Sequence, residues 1–256
     1  MTLLRVLHAE SLKMKRTIAL KMVVLYPMVL VLLVLFVTSQ GPHSTINRDG
    51  RGTEWASLAR LNLRFWAFLM LPLYIALQTA LVAGLDHSEN QWKSLLARPV
   101  PRWTLYVAKL LVAVAMCAAS TLVLMSGILM DGAILPRLQA EVVFYSPVPL
   151  ASIALDSLEI ICLAFLSLTI QHWVSLKWRS FSIAMGTGIV ATVVGIFAVA
   201  AGQQMGGWPQ YFPWSLPMLV LARQPHDVPA TILISGVLGI IVAAAGCLDF
   251  STTETS

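Results

Sequence analysis

Charge is the scarcest thing in this sequence. Asp, Glu, Lys and Arg together make up 11% of 256 residues, whereas a soluble domain carries about 25%. Too little is left to cover an aqueous surface, which excludes a soluble fold. Cysteine is also rare: Cys117, Cys162 and Cys247 each fall inside an apolar run, with no metal-ligand spacing. They read as reduced packing residues, not as a disulfide framework or a zinc site. The five histidines form no HxxxH or HExxH pattern, there is no GxSG, and no histidine–carboxylate pair lies in an apolar run. A metal site and an intramembrane catalytic pair are both without support. The net charge of +5 comes from Lys and Arg scattered at the ends of apolar runs, a topological pattern and not a nucleic-acid-binding patch.

What the chain has instead is apolar length. Hydrophobic residues make up 58% and the mean hydropathy is +0.79, which makes this an all-α integral membrane protein, a single transmembrane domain over residues 1–256. Six runs are long enough to cross a bilayer: residues 22–39, 63–85, 110–130, 150–171, 181–201 and 228–248. Pro27 and Pro72 read as tolerated kinks. Val37-Thr38-Ser39 could pass for a signal-peptide cleavage site, but the long amphipathic stretch ahead of the first run favours a retained span. Residues 40–60 form a polar loop, in which Trp55, Leu58 and Leu61 hint at a short interfacial helix leading into the second span. Asp131-Gly132 is expected to open a short loop carrying Arg137 and Glu141.

Residues 1–21 hold an amphipathic segment. Leu3, Leu7, Met14 and Ile18 form one stripe with Leu4 and Ser11 beside it, and Arg5, His8, Lys15 and Arg16 lie opposite. With Lys13, this is the pattern of a helix in the interface of an anionic leaflet; an ordinary basic flank of a span is the plainer reading. A second amphipathic helix, 86–98, sits in the stretch GLDHSENQWKSLLARPVPRWTLYVAK between the second and third spans. Asp86 and Ser88 have capping-box spacing to Glu89 and Gln91, Glu89 and Lys93 are four apart in the favourable order, and Trp92, Leu95 and Leu96 share a face. Arg98 suits the C-terminal end of the helix dipole, and Pro99 and Pro101 close the stretch. Such a helix, held tightly between two spans, is built to be gripped at the membrane surface.

Six spans put both termini on one side. That side carries eleven Lys and Arg, including Arg102, against six on the other, so the positive-inside rule places the termini and the 86–98 helix in the cytoplasm. Asp156 and Glu159 share a face of the fourth span. A carboxylate at depth costs about 2.5–3.5 kcal/mol even on lenient scales, so either they line the outer part of a path or pair with Arg64, or they lie near the outer interface and are simply solvated. Residues 202–227 are aromatic and proline-broken, an external interfacial or re-entrant hairpin. Its Trp208, Tyr211, Phe212 and Trp214 read as an aromatic belt or as an external gate. No segment is large enough to fold alone in water, so any energy source is a partner or an ion gradient.

Glu89, Trp92, Lys93, Leu95, Leu96, Pro99, Arg102 and Lys109, placed between the second and third of six spans, resemble the signature of the ABC type-2 exporter permeases, roughly E-x-x-(apolar)-K-x-L-L-x-x-P-x-x-R with a Lys opening the next span. The basic N-terminal helix and the Trp208-Pro209 and Phe212-Pro213-Trp214 hairpin match as well, so the resemblance covers essentially the whole chain. It implies a non-enzymatic permease subunit of the bacterial cytoplasmic membrane. Partners would be a second permease, identical or related, membrane lipid, and a cytosolic ABC ATPase dimer that binds ATP and Mg; no cofactor belongs to this chain, in keeping with the lack of a GxxxxGK[ST] loop. Glu89, Trp92, Lys93, Leu96, Arg98 and Arg102 would then form the coupling helix seated on the ATPase, flanked by Arg5, Lys13, Lys15 and Arg16. Small external loops bring the chain nearest the antibiotic- and lantibiotic-immunity branch, and the absence of Lys or Arg after Leu248 departs from the basic tail of many members. The expected function is ATP-driven export of an amphipathic peptide, drug or lipid-like compound. An ion-coupled secondary transporter and a non-transporting sensor linked to an ATPase are the alternatives.

Overall fold

The computed structural model describes residues 2–40, 54–88, 101–139, 142–178, 180–201, 211–219 and 228–252. Among these there is no strand. Helix α1 (Thr2–Met14) is amphipathic, and α2 (Ile18–Gln40) is the first of six helices long and apolar enough to cross a membrane. The second is composite: α3 (Glu54–Phe65), a π-helical turn at Trp66–Met70, and α4 (Leu71–Ser88). Then come α5 (Arg102–Leu138), α6 (Leu150–Lys177) and α7 (Phe181–Ala201). The four-residue α8 (Leu216–Leu219) precedes α9 (Val228–Thr252).

The amphipathic segment is shorter than its sequence stripe. Helix α1 stops at Met14 because Arg16 adopts φ 70°, the left-handed geometry that ends helices. The Thr17 hydroxyl then accepts from the Leu20 N–H at 3.4 Å, capping α2, so the first span opens at Ile18. The chain reverses there and lays α1 against α5.

The third span differs most from expectation. Asp131-Gly132, read as a loop, is helical, and α5 continues to Leu138. At 37 residues it is about 55 Å long, against about 30 Å of hydrocarbon. Tertiary contacts override the local turn signal. Asp131 is 1% exposed and accepts from Asn62 Nδ2 at 3.5 Å, while Gly132 lies directly under the Trp55 ring, where any Cβ would collide. Pro136 cannot donate to the Gly132 carbonyl and crowds it, and α5 ends two residues later at Leu138.

The short helix expected around Trp55 is present as α3 and leads into the second span, but it packs against the bundle. Trp55 and Leu58 are buried, Trp55 stacks on Phe144 at 4.6 Å, and α3 runs straight into the π turn. The Leu71 N–H reaches back to the Trp66 carbonyl. The widened turn sits immediately before Pro72, which lacks an N–H and crowds the preceding turn.

The main core joins α2, α3, α4, α5 and α6. At its centre, Tyr26, Trp66 and Tyr74 pack with ring centroids 5.4–6.4 Å apart. The apolar windows of α2, α7 and α9 are only 28%, 22% and 22% buried, against 50–56% for the other three spans. Those three helices therefore present their apolar sides outward, to lipid or to another subunit.

Candidate functional site

Among the described residues, a dense set of polar contacts between helices gathers on the first two turns of α5, with α1 on one side and α6 and α9 on the other. Glu10 is 2% exposed and Lys109 1%. The Lys109 Nζ donates to Glu10 Oε2 at 2.7 Å, and Lys13 Nζ donates to Glu10 Oε1 at 2.7 Å. One carboxylate thus holds a cation on its own helix and a cation on α5. The N-terminal helix is pinned to the second turn of α5, and does more than rest on the leaflet.

The same end of α5 is braced from its other side. Tyr106, fully buried, stacks edge-on with His172 of α6 at 4.9 Å and lies 5.9 Å from Phe250 of α9. His172 Nε2 is 3.3 Å from the Tyr106 carbonyl oxygen. Trp173 Nε1 donates to Asp249 Oδ2 at 2.9 Å, and Lys177 Nζ donates to the same oxygen at 3.1 Å. Gly246 lets α9 approach this closely, since a Cβ there would run into Tyr106 Oη and the Trp173 ring. Deeper in, Gln78 of α4 donates to the Ala19 carbonyl at 2.8 Å and to Tyr74 Oη at 2.7 Å. Ser175 Oγ donates to Thr79 Oγ1 at 3.1 Å. Among the described residues, α1, α2, α4, α5, α6 and α9 are therefore each tied to a neighbour on this side by polar or aromatic contacts.

Of the residues expected to form the coupling helix, Glu89, Trp92, Lys93, Leu96 and Arg98 lie outside the described residues, and Arg102 opens α5. On α1 and the turn after it, Arg5, Lys15 and Arg16 are exposed, whereas Lys13 is turned inward onto Glu10. At the far end, Asp156 and Glu159 are half-buried on α6. The cation whose charge acts on Asp156 is Arg60, one turn before Arg64, which is exposed. Trp208 lies outside the described residues. Tyr211 faces outward, while Trp214 is buried and stacks with Phe212 at 5.6 Å. Leu216 and Leu219 of α8 pack on Leu163 and Leu166, in the middle of α6. The short helix thus enters the bundle, touching α6 and the π turn, where protein can satisfy its irregular backbone.

The sequence reading missed Glu10, Asp131, His172 and Asp249. Glu10 carried a signal: it is the one acid among the basic residues of α1, and Lys109 is a cation inside an apolar run. Among the described residues no cluster of His, Cys, Asp and Glu could hold a metal.

The family model described as "ABC-2 family transporter protein" matches residues 6–197, a stretch that includes Glu10, residues 86–100, Lys109 and the whole of α6. No curated protein and no solved structure matches the chain. Its six membrane-crossing helices and this match over most of its length mean that the chain belongs to the ABC-2 family of transporter permeases.

Proposed function

We propose that this permease is the membrane half of an ATP-driven exporter in a bacterial cytoplasmic membrane, with both termini in the cytoplasm. A dimeric ATPase docks on the 86–98 helix, and a second permease, a copy or a relative, completes the complex. The observation that carries this reading is the braced end of α5. A push on residues 86–98 enters α5 at Arg102 and passes within two turns to α1 through Glu10 and Lys109, and to α6 and α9 through Tyr106. Rigid ties at that end and sparse burial of α2, α7 and α9 suit a bundle moved as a lever against a partner.

The substrate class is amphipathic: an antimicrobial peptide, drug or lipid-like compound, in keeping with the immunity branch. Asp156, Glu159 and Arg60 supply charge near the outer end of the bundle, and Tyr211 presents an exposed aromatic ring. ATP and Mg belong to the partner. The test is copurification from mild detergent. The tagged native chain is expected to bring down an ABC ATPase, and the Glu89→Ala/Trp92→Ala variant to lose it while remaining in the membrane. A native chain that is folded yet brings down no ATPase would overturn the proposal.

A further inference from the structure

Pinning α1 to α5 leaves a slot beside the ion pair. Leu7 and Met14 of α1, Leu20 and Val23 of α2, and Leu111 and Ala115 of α5 line an apolar groove of about 640 Å³, within the range of small-ligand sites. Along α5 it runs from Leu111 to Ala119, eight residues or about 12 Å. That is most of the roughly 15 Å thickness of one leaflet's hydrocarbon. Its walls merge with the outward apolar surface, since Leu4, Leu20 and Leu111 are all exposed.

Cations flank the polar lining of the groove along the chain. His8 and Ser11 of α1 are its polar lining. Lys15 follows Ser11 by one turn, Arg5 precedes His8 by three residues, and Arg16 stands at the left-handed turn; all three cations are exposed. A second copy of this chain, seated by a two-fold axis on this face, would bring the same cations against these ones. A phospholipid with an anionic head group meets both halves of the site at once.

We infer that the cleft between α1, α2 and α5 is a binding site for one anionic phospholipid. An acyl chain lies along Leu111–Ala119, and the phosphate and glycerol groups sit among Arg5, His8, Ser11 and Lys15. The Glu10–Lys109 pair sets the width of the slot, because it fixes the inner side of α1 to α5. The bound lipid acts as a wedge holding the N-terminal helix at its angle to the bundle. This assignment does not rest on the ATPase reading and can be tested on the isolated full chain.

The experiment is native mass spectrometry of the detergent-purified protein, equilibrated with equal amounts of phosphatidylglycerol and phosphatidylcholine. The native chain is expected to keep one phosphatidylglycerol under activation that strips other lipids. Ala115→Trp, at an exposed position that fills the groove, should lose it. Arg5→Gln/Lys15→Gln, two exposed changes that leave the packing untouched, should weaken the preference for phosphatidylglycerol by roughly fivefold per cation. Equal retention of the two lipids by the native chain would overturn the inference. So would undiminished phosphatidylglycerol on the Ala115→Trp variant, or an unchanged preference in the double charge variant.

Discussion

Replacing Glu10 with Gln is the most informative single perturbation of this fold. The carboxylate lies 2.7 Å from both Lys109 Nζ and Lys13 Nζ, and only Lys13 is appreciably exposed, at 30%. Breaking a buried pair from one side costs about 3–5 kcal/mol, while a partly exposed pair is worth about 1 kcal/mol or less. Nearly all of the loss therefore falls on the α1–α5 contact. That contact is local, so it should show in the opening of α1 and not in collapse of the bundle. A loss of about 3 kcal/mol corresponds to roughly a hundredfold rise in the open fraction. Hydrogen–deuterium exchange of residues 2–14 in lipid nanodiscs reads this directly: Glu10→Gln should speed exchange there about a hundredfold and leave α6 unchanged, whereas Lys13→Gln should change it less than tenfold. Joint replacement, Glu10→Met/Lys109→Met, removes both charges and should exchange no faster than the single Glu10 variant. Equal effects of the Glu10 and Lys13 changes, or additive effects of the Glu10 and Lys109 changes, would refute the pairing as the strap.

Three further outcomes follow from packing and exposure. Gly132→Leu drives a side chain into the Trp55 ring and should cost about 1–3 kcal/mol in unfolding by SDS in mixed micelles, with most of it recovered when Trp55 is also changed to Ala. Asp249→Asn should cost under about 1 kcal/mol in the same assay, because the Lys177 pair is 47% and 32% exposed at its two ends. Trp214→Ala should cost about 3–5 kcal/mol, since Trp214 is buried against α7 at Gly195, while Tyr211→Ala, at an exposed position, should change stability by less than about 0.5 kcal/mol.

The six spans were legible because bilayer thickness imposes a length of apolar sequence that nothing else in the chain imitates. The features that escaped were decided by contacts between distant segments. Asp131-Gly132 has the local chemistry of a turn, yet Trp55 and Asn62, about 70 residues earlier, turn the same residues into helix interior. Glu10 sits on a basic amphipathic helix, and its burial depends on the reversal at Arg16, a left-handed residue that is not glycine. The π turn before Pro72 leaves no periodic signal; only the proline marks its place. Arg60, one turn before Arg64 on the same helix, is a cation whose charge reaches Asp156; which of two arginines on one helix faces α6 is set by packing between distant segments. That Trp214 turns inward and Tyr211 outward was not legible, because both are aromatic and only the packing of the chain around α8 separates them.

A photoactivatable amino acid at position 92, in the full chain expressed in its own cells, tests the central claim most directly. If the 86–98 helix transmits the work of an ATPase into the braced end of α5, irradiation should join this chain to an ABC ATPase, and the same probe at the exposed Tyr211 should not. Crosslinking at position 92 only to lipid, or equal capture of the ATPase from position 211, would contradict the account.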